Sequence, residues 1–142
     1  MVMNFFKGLS VLLALGWSAA TWAQGTYPQK PVTLIVPFPA GGIADLSARA
    51  LKPSLDKALG QPVTIVNRPG ASGAIGAAAV ANANADGYTL MYTLSSVASV
   101  PEQAILNGQK APFTLDQFVP VARVTVDVVS LVVRADSPYK TY

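Results

Sequence analysis

Short, continuous apolar runs in this chain are separated by longer stretches in which apolar positions recur every three or four residues. Such runs predict strands of a parallel sheet, which are covered on both faces. They lie at 32–36, 63–67, 88–92 and 128–134. Helices are predicted at 42–59, at the alanine-rich 74–85 and at 101–106. The order strand–helix–strand–helix–strand, with short connections, predicts an α/β fold with a mostly parallel sheet.

Three residues are expected to set helix and turn boundaries. Pro53 lies inside the first helical pattern, where it removes an N–H and clashes with the carbonyl of Arg49, so a kink or a split is expected. Gly60 stands where a helix-terminating glycine belongs. Thr114 opens a predicted capped turn that ends at Gln117.

Residues 1–23 are predicted to be a cleaved secretory signal peptide. Lys7 precedes the apolar core 9–20, and small residues at Thr21 and Ala23 favour cleavage before Gln24. A membrane anchor is the alternative, but a spanning helix needs about 20 apolar residues and this stretch is shorter. The mature chain is therefore expected to be exported and to begin at Gln24.

Composition excludes several classes of function. The chain of 142 residues is 51% hydrophobic and carries a formal net charge of +3, with its Lys and Arg residues scattered singly. Nucleic-acid binding needs a clustered basic face, so no nucleic-acid partner is expected. The chain contains no Cys and no His, which excludes disulfides, Ser–His–Asp and Cys–His catalysis, and zinc or haem ligation by those residues. No metal and no cofactor are expected.

Three polar loops leave the carboxyl ends of the first three predicted strands, at 38–45, 68–76 and 93–96. We refer to them as the first, second and third loops. Ligands of open α/β sheets bind outside those strand ends. Glycines let the backbone approach a ligand closely, and helix N-termini supply unpaired N–H groups with a favourable dipole. This pattern predicts a site for a small anion, most consistent with a carboxylate.

Individual residues in these loops allow two interpretations. Gly41 and Gly42 provide ligand donors, or they serve only the turn between strand and helix. Asp45 is interpreted as organising the first loop and pairing with Arg49 at i,i+4, because a carboxylate would repel an anionic ligand. Arg68 suits a carboxylate clamp, but a surface role beside Pro69 is favoured.

Four motifs in this order resemble those of the Bug-type family, the extracytoplasmic receptors of tripartite tricarboxylate transporters. They are Pro37-Phe-Pro-Ala-Gly-Gly-x-x-Asp45-x-x-x-Arg49, Leu59-Gly-Gln-Pro-Val63, Asn67-Arg-Pro-Gly-Ala-x-Gly73-x-x-Gly76 and Asp86-Gly-Tyr-Thr-Leu90. The resemblance implies a two-lobed, type II-like periplasmic binding protein that is not an enzyme. It also implies capture of small organic carboxylates or related aromatic acids, and delivery to membrane permease subunits driven by an ion gradient.

The resemblance further implies that the first and second loops line the ligand cleft and that the third approaches it. The residues expected to bind the ligand are Phe38, Ala40, Gly41, Gly42, Ile43, Ala44, Asp45, Ala71, Ser72, Gly73, Ser95 and Ser96. The third loop departs from the family pattern, because it lacks the His and the Asn-Pro usual there.

Residues 24–127 are expected to form the N-terminal part of lobe one, and 128–142 the start of a crossover toward a second lobe. The first lobe is thus expected to be incomplete. Two alternatives remain open at this point. One is an exported α/β enzyme with catalytic residues beyond Tyr142, and the other is a truncated gene product without function.

Overall fold

The structure is a computed structural model that describes residues 27–126, 132 and 134–138. The predicted signal peptide at 1–23 and nearly all of the predicted strand at 128–134 lie outside the described residues. The regular elements are β1 (Val32–Val36), α1 (Ile43–Leu59), β2 (Val63–Asn67), α2 (Ala74–Ala81), β3 (Thr89–Met91) and α3 (Val100–Leu106). Short 3₁₀ turns cover Ala71–Gly73, Ser95–Ser99 and Leu115–Gln117.

The three strands form one parallel sheet in the order β2–β1–β3, which confirms the predicted parallel arrangement in this part of the chain. Val36 at the end of β1 is level with Asn67 at the end of β2. The strand β3 is shorter than predicted, although Tyr88 and Tyr92 each share a backbone hydrogen bond with β1, at 2.8 and 2.9 Å. The carboxyl ends of all three strands therefore meet at one edge.

Two hydrophobic clusters cover the two faces of the sheet. Adjacent residues of a strand point to opposite faces, and Leu90 belongs to one cluster while Met91 belongs to the other. The helix α1 packs through Ala44 and Ala48 on the face that carries Leu90. The opposite face is covered by α2, α3 and the buried ring of Phe113. This layering confirms the α/β interpretation and leaves the strand ends free for loops.

Of the kink or split expected at Pro53, the split is wrong, because α1 is continuous from Ile43 to Leu59, and the kink stays a prediction. Leu55 and Leu59, which follow the proline, pack on the same cluster as Ala48, which precedes it. The residues on both sides of the proline therefore pack against the sheet. The expected end of the helix is confirmed, since Gly60 has φ 64° and its N–H donates to the carbonyl of Asp56 at 3.0 Å.

The helix α2 ends at Ala81, four residues earlier than the sequence predicted. The Asn82 N–H makes the last i→i−4 bond, to the carbonyl of Ala78 at 3.1 Å, and the Asn82 side-chain Nδ2 donates to the same carbonyl at 2.7 Å. The next N–H, that of Ala83, donates to the carbonyl of Val80 at 3.0 Å, three residues back, so the α-helical pattern ends there. The predicted capped turn is confirmed, with reciprocal hydrogen bonds between Thr114 and Gln117. None of the helices in the described residues is long and apolar enough to cross a membrane.

Candidate functional site

At the carboxyl ends of the strands, the second loop packs against Pro37, which precedes the first loop, and Val97, which follows the third. A Cβ atom on Gly73 of the second loop would lie 2.8 Å from Val97 Cγ2 and 3.5 Å from Pro37 Cβ. A Cβ on Gly76 would lie 2.8 Å from both Pro37 Cα and the carbonyl oxygen of Arg68. Only a residue without a side chain allows this approach, so these glycines bring the second loop against its two neighbours.

Asp45 organises the first loop from inside. It lies in the first turn of α1, with 2% of its surface exposed. Its Oδ2 accepts hydrogen bonds from the Gly41 N–H at 2.8 Å and from Arg49 Nε at 2.9 Å. These contacts match both parts of the sequence interpretation, the ordering of the loop and the i,i+4 pair. The carboxylate thus faces the protein's own donors.

Asn67, which the sequence analysis did not single out as a ligand-binding residue, completes this network from β2. Its Nδ2 donates to Asp45 Oδ1 at 3.0 Å and to the carbonyl of Phe38 at 3.1 Å. Its Oδ1 accepts from Arg49 Nη2 at 3.3 Å. The sequence did carry a signal for this role, because Asn67 is a polar residue that ends an apolar strand directly before a glycine-containing loop.

The network keeps Asp45 ionised. The hydrogen bond from Arg49 contributes most, followed by that from the Gly41 N–H, and together they lower the pKa of Asp45 from 3.8 to about 2. The hydrogen bond between Arg49 and Asp45 also raises the pKa of Arg49. The negative charge of Asp45 is therefore compensated within the protein, which removes a source of repulsion toward an anion outside the loop.

The open backbone donors of the first loop are those of Ile43, Ala44 and Asp45, and not those of Gly41 and Gly42. The Gly41 N–H is engaged by Asp45, and the Gly42 N–H donates to the carbonyl of Pro39 at 3.3 Å. This corrects the expectation that these two groups are free. The N–H groups of Ile43, Ala44 and Asp45 have no acceptor among the described residues, and the N-cap Gly42 supplies no side chain to cap them.

The second loop holds an unusual backbone. Gly70, Ala71, Ser72 and Gly73 have φ angles of 131°, 46°, 55° and 94° in succession. The two non-glycine residues in this left-handed region each carry a cost of roughly 1–3 kcal/mol, and such strain clusters at functional sites. In the described part of the chain, the N–H groups of Ala71 and Ser72 have no acceptor, and both side chains are exposed.

The third loop contacts the second through Val97, whose side chain is buried against Gly73. Ser95 and Ser96 are exposed on the 3₁₀ turn just before it. The turn is closed by the Val97 N–H, which donates to the carbonyl of Leu94 at 3.2 Å. The two serines therefore lie at the margin of the assembled loops.

A separate open groove of about 530 Å³ runs between α2 and α3 and meets the second loop at Ala71 and Ser72. Its lining combines small apolar residues with the polar side chains of Gln103, Asn107, Gln109 and Lys110. No group of three or more acidic residues that could hold a metal ion occurs in the residues the structure describes. The groove is lined largely by residues outside the first and third loops, such as Gln103 and Lys110. Changes at those residues therefore distinguish binding in the groove from binding at the loops.

Comparison with known proteins bears on the family and the fold. A family model described as "Tripartite tricarboxylate transporter family receptor" matches residues 47–142. Protein BugT of Bordetella pertussis is 40% identical over 126 residues, which are 86% of this chain and 38% of that protein. A protein from the TAR-I ttuE-ttuC' intergenic region of Agrobacterium vitis is 38% identical over 139 residues, which are 98% of this chain and 39% of that protein.

Among solved structures, one described as "Structure of a periplasmic transporter" superposes with a TM-score of 0.55 at 40% identity. The superposed part makes up 62% of this chain and 29% of the chain in that structure. This match confirms the predicted fold class, an α/β lobe of the periplasmic-binding-protein type. The partial coverage is consistent with an incomplete lobe. The chain spans less than two fifths of the length of the curated relatives it matches.

Proposed function

Because this chain belongs to the tripartite tricarboxylate transporter receptor family, we propose that it captures a small organic carboxylate, or a related aromatic acid, outside the cytoplasm. It would pass this ligand to the membrane permease subunits of a transporter driven by an ion gradient. Members of the family are solute-binding receptors rather than enzymes, so the alternative of an exported enzyme loses its support.

The observation that carries the proposal is the pair of unsatisfied backbone donor sets beside one sheet edge. One set is the first turn of α1 at Ile43–Asp45, and the other is Ala71–Ser72 in the second loop. A helix N-terminus favours negative charge through its free N–H groups and its dipole. A carboxylate has two oxygens, and in this proposal it accepts from both sets at once.

We assign the remaining predicted residues by position. Phe38, Ala40, Gly41 and Gly42 shape the approach to the α1 donors, and Gly73 holds the second loop in place. Ser72 offers a hydroxyl beside its own N–H, while Ser95 and Ser96 border the site from the third loop. Asp45 acts from behind the first loop, where Gly41 and Arg49 occupy its Oδ2.

Calorimetry on a full-length chimera tests this proposal. The chimera joins the whole 142-residue chain to the part of the Agrobacterium vitis relative that follows the match. The probes are acetate, succinate, citrate and benzoate, with succinamide as a neutral control. We expect at least one acid to bind and succinamide not to bind. A folded chimera that binds none of the acids contradicts the proposal and favours a gene product without binding function.

The proposal includes export, with a mature chain that begins at Gln24. N-terminal sequencing of the protein released from the periplasm checks this directly. The expected result is an N-terminus at Gln24 in the soluble periplasmic fraction. Recovery of the chain with Met1 retained in the membrane fraction would contradict it.

A further inference from the structure

We infer that Asn67 is a positioning residue that locks the first loop to the root of the second, so that both donor sets face one ligand. This inference rests on the proposed function. The side chain of Asn67 bonds to two parts of the first-loop region at once, the carbonyl of Phe38 and the carboxylate of Asp45. Its backbone lies in β2, opposite Val36.

The connection continues from Asn67 to the ligand-facing backbone. Asp45 accepts from Asn67 through Oδ1 and from the Gly41 N–H through Oδ2. Gly41 in turn lies two residues before the first open donor of α1. A shift of the Asn67 side chain therefore changes the support of the whole first loop, although Asn67 has no need to contact a ligand.

Asn67 also stands at the start of the second loop. The next residue, Arg68, donates its N–H to the carbonyl of Val36 at 2.8 Å, and this is the last backbone bond between the two strands. Beyond it the chain enters the strained segment Gly70–Gly73. Asn67 thus joins the two loops, because its side chain holds the first loop and its backbone leads from the sheet into the second.

The hydrogen-bond directions matter, because both the Phe38 carbonyl and Asp45 Oδ1 are acceptors. Only a donor satisfies them. Aspartate has the same shape as asparagine but presents acceptors in this place, and it adds a second carboxylate beside Asp45. Leucine fills similar volume without donating. A role limited to filling space predicts that leucine is tolerated, and a role limited to accepting from Arg49 predicts that aspartate is tolerated.

The test uses Asn67→Asp and Asn67→Leu in the full-length chimera. The matched control is Asn82→Asp, at the end of α2 that lies away from the second loop. The first measurement is calorimetric affinity for the acid of the panel that binds most tightly. Both Asn67 variants should lose affinity by roughly tenfold or more, as expected for loss of hydrogen bonds to a charged group, while the control keeps its affinity.

The second measurement needs no ligand. Selective ¹⁵N-glycine labelling reports hydrogen exchange of the Gly41 amide, with its resonance assigned by its loss in Gly41→Ala. Exchange should accelerate by roughly tenfold in both Asn67 variants and stay unchanged in Asn82→Asp. A positioning role moves this local signal while the melting temperature changes little. General stabilisation would not move it selectively.

The outcomes separate this inference from the proposed function. If the parent chimera binds no acid, the proposed function fails, and the Gly41 exchange still decides the role of Asn67. If the parent binds and both Asn67 variants bind equally well with unchanged Gly41 exchange, the inference is overturned. If both variants unfold, it is overturned as well, because Asn67 then stabilises the lobe as a whole.

Discussion

Asp45 lies in the first turn of α1 with its carboxylate turned toward the Gly41 amide and the Arg49 guanidinium. A negative charge so near a proposed anion site would be unfavourable if it were unpaired. Here each oxygen accepts from the protein, and the charge serves to hold a glycine-containing loop in one conformation. Asp45, although it is negatively charged, thus stabilises the loop that carries the proposed anion site.

The pKa of Asp45 predicts an acid-sensitive contribution to stability. Because this pKa is about 2 in the folded protein and 3.8 ordinarily, the contribution is complete above pH 3.8 and is lost as the pH falls toward 2. In urea denaturation followed by circular dichroism, Asp45→Asn should lower the midpoint of the full-length chimera most at pH 6. The difference in urea midpoint between the parent and Asp45→Asn should become smaller as the pH falls toward 2.

The exposed Asp116, on the 3₁₀ turn Leu115–Gln117, is the matched control. Asp116→Asn should leave the midpoint nearly unchanged across the same pH range. A constant difference between Asp45→Asn and the parent from pH 6 to pH 2 would show that the carboxylate charge is not what holds the loop.

Ser72 tests whether the second loop binds through its backbone. If the N–H groups of Ala71 and Ser72 are the donors, removing the hydroxyl leaves them in place. Ser72→Ala in the full-length chimera should therefore weaken carboxylate binding by less than roughly tenfold, measured by calorimetry. A loss of a hundredfold or more with an unchanged melting temperature would make the hydroxyl the principal donor.

Local contacts were predictable from the sequence. The Asp45–Arg49 pair follows from helical spacing, and the conformation of Gly60 follows from its place after the last apolar position. The contacts of Asn67 depend on the register between β1 and β2 and on the path of the first loop, which spacing does not encode. The left-handed backbone at Ala71 and Ser72 was equally hidden, because neither residue type favours it.

At the scale of the elements, the strands and helices of the described region lie close to where apolar patterning put them. The differences arise from side chains that compete with a propensity. Asn82 ends α2 early by bonding to the carbonyl of Ala78, and packing on the sheet keeps α1 whole through Pro53. The end of α2 depends on a local contact four residues apart, whereas the continuity of α1 depends on packing against the sheet, which spacing in the sequence does not show.

The approach of α2 to the end of β1 gives a prediction at this scale. A methyl group on Gly76 would collide with backbone atoms of Pro37 and Arg68 at 2.8 Å, and backbone atoms cannot rotate away. Gly76→Ala should therefore lower the free energy of unfolding by roughly 1–3 kcal/mol, despite the better helix propensity of alanine. Urea denaturation of the full-length chimera measures the change.

Gly42→Ala is the control, because Gly42 has a φ of −75° and its nearest neighbouring atom, the carbonyl oxygen of Pro39, would lie 3.3 Å from the new methyl group. Gly42→Ala should lower the free energy of unfolding clearly less than Gly76→Ala does. Equal stability of Gly76→Ala and the parent would mean that the loops are not packed as closely as the structure has them.

At the scale of the whole molecule, the fold class was predictable because the strand and helix patterns alternate with short connections. The family motifs added an expected cleft position and an expected class of ligand, and both stay predictions. The predicted division into a part of lobe one at 24–127 and a crossover at 128–142 stays a prediction, since most of the second segment lies outside the described residues.

The segment after Phe118 predicts how the 24–142 chain behaves when it is produced alone. Val119, Val121 and Val126 are 87%, 85% and 73% exposed, and Leu106 at the end of α3 is 86% exposed. Exposed apolar side chains and open strand edges favour association. We expect poor solubility or oligomers by light scattering. A monodisperse monomer with a cooperative melt would contradict this expectation.

The central claim is that the ligand carboxylate meets the open backbone donors of the first and second loops. The most direct measurement is the change in ¹H–¹⁵N amide resonances of the full-length chimera on addition of the acid that it binds. We predict the largest shifts at Ile43, Ala44, Ala71 and Ser72, with little change at Thr89–Met91 in the sheet. Saturable binding whose shifts fall instead along the groove between α2 and α3, at Gln103 and Lys110, would contradict the claim.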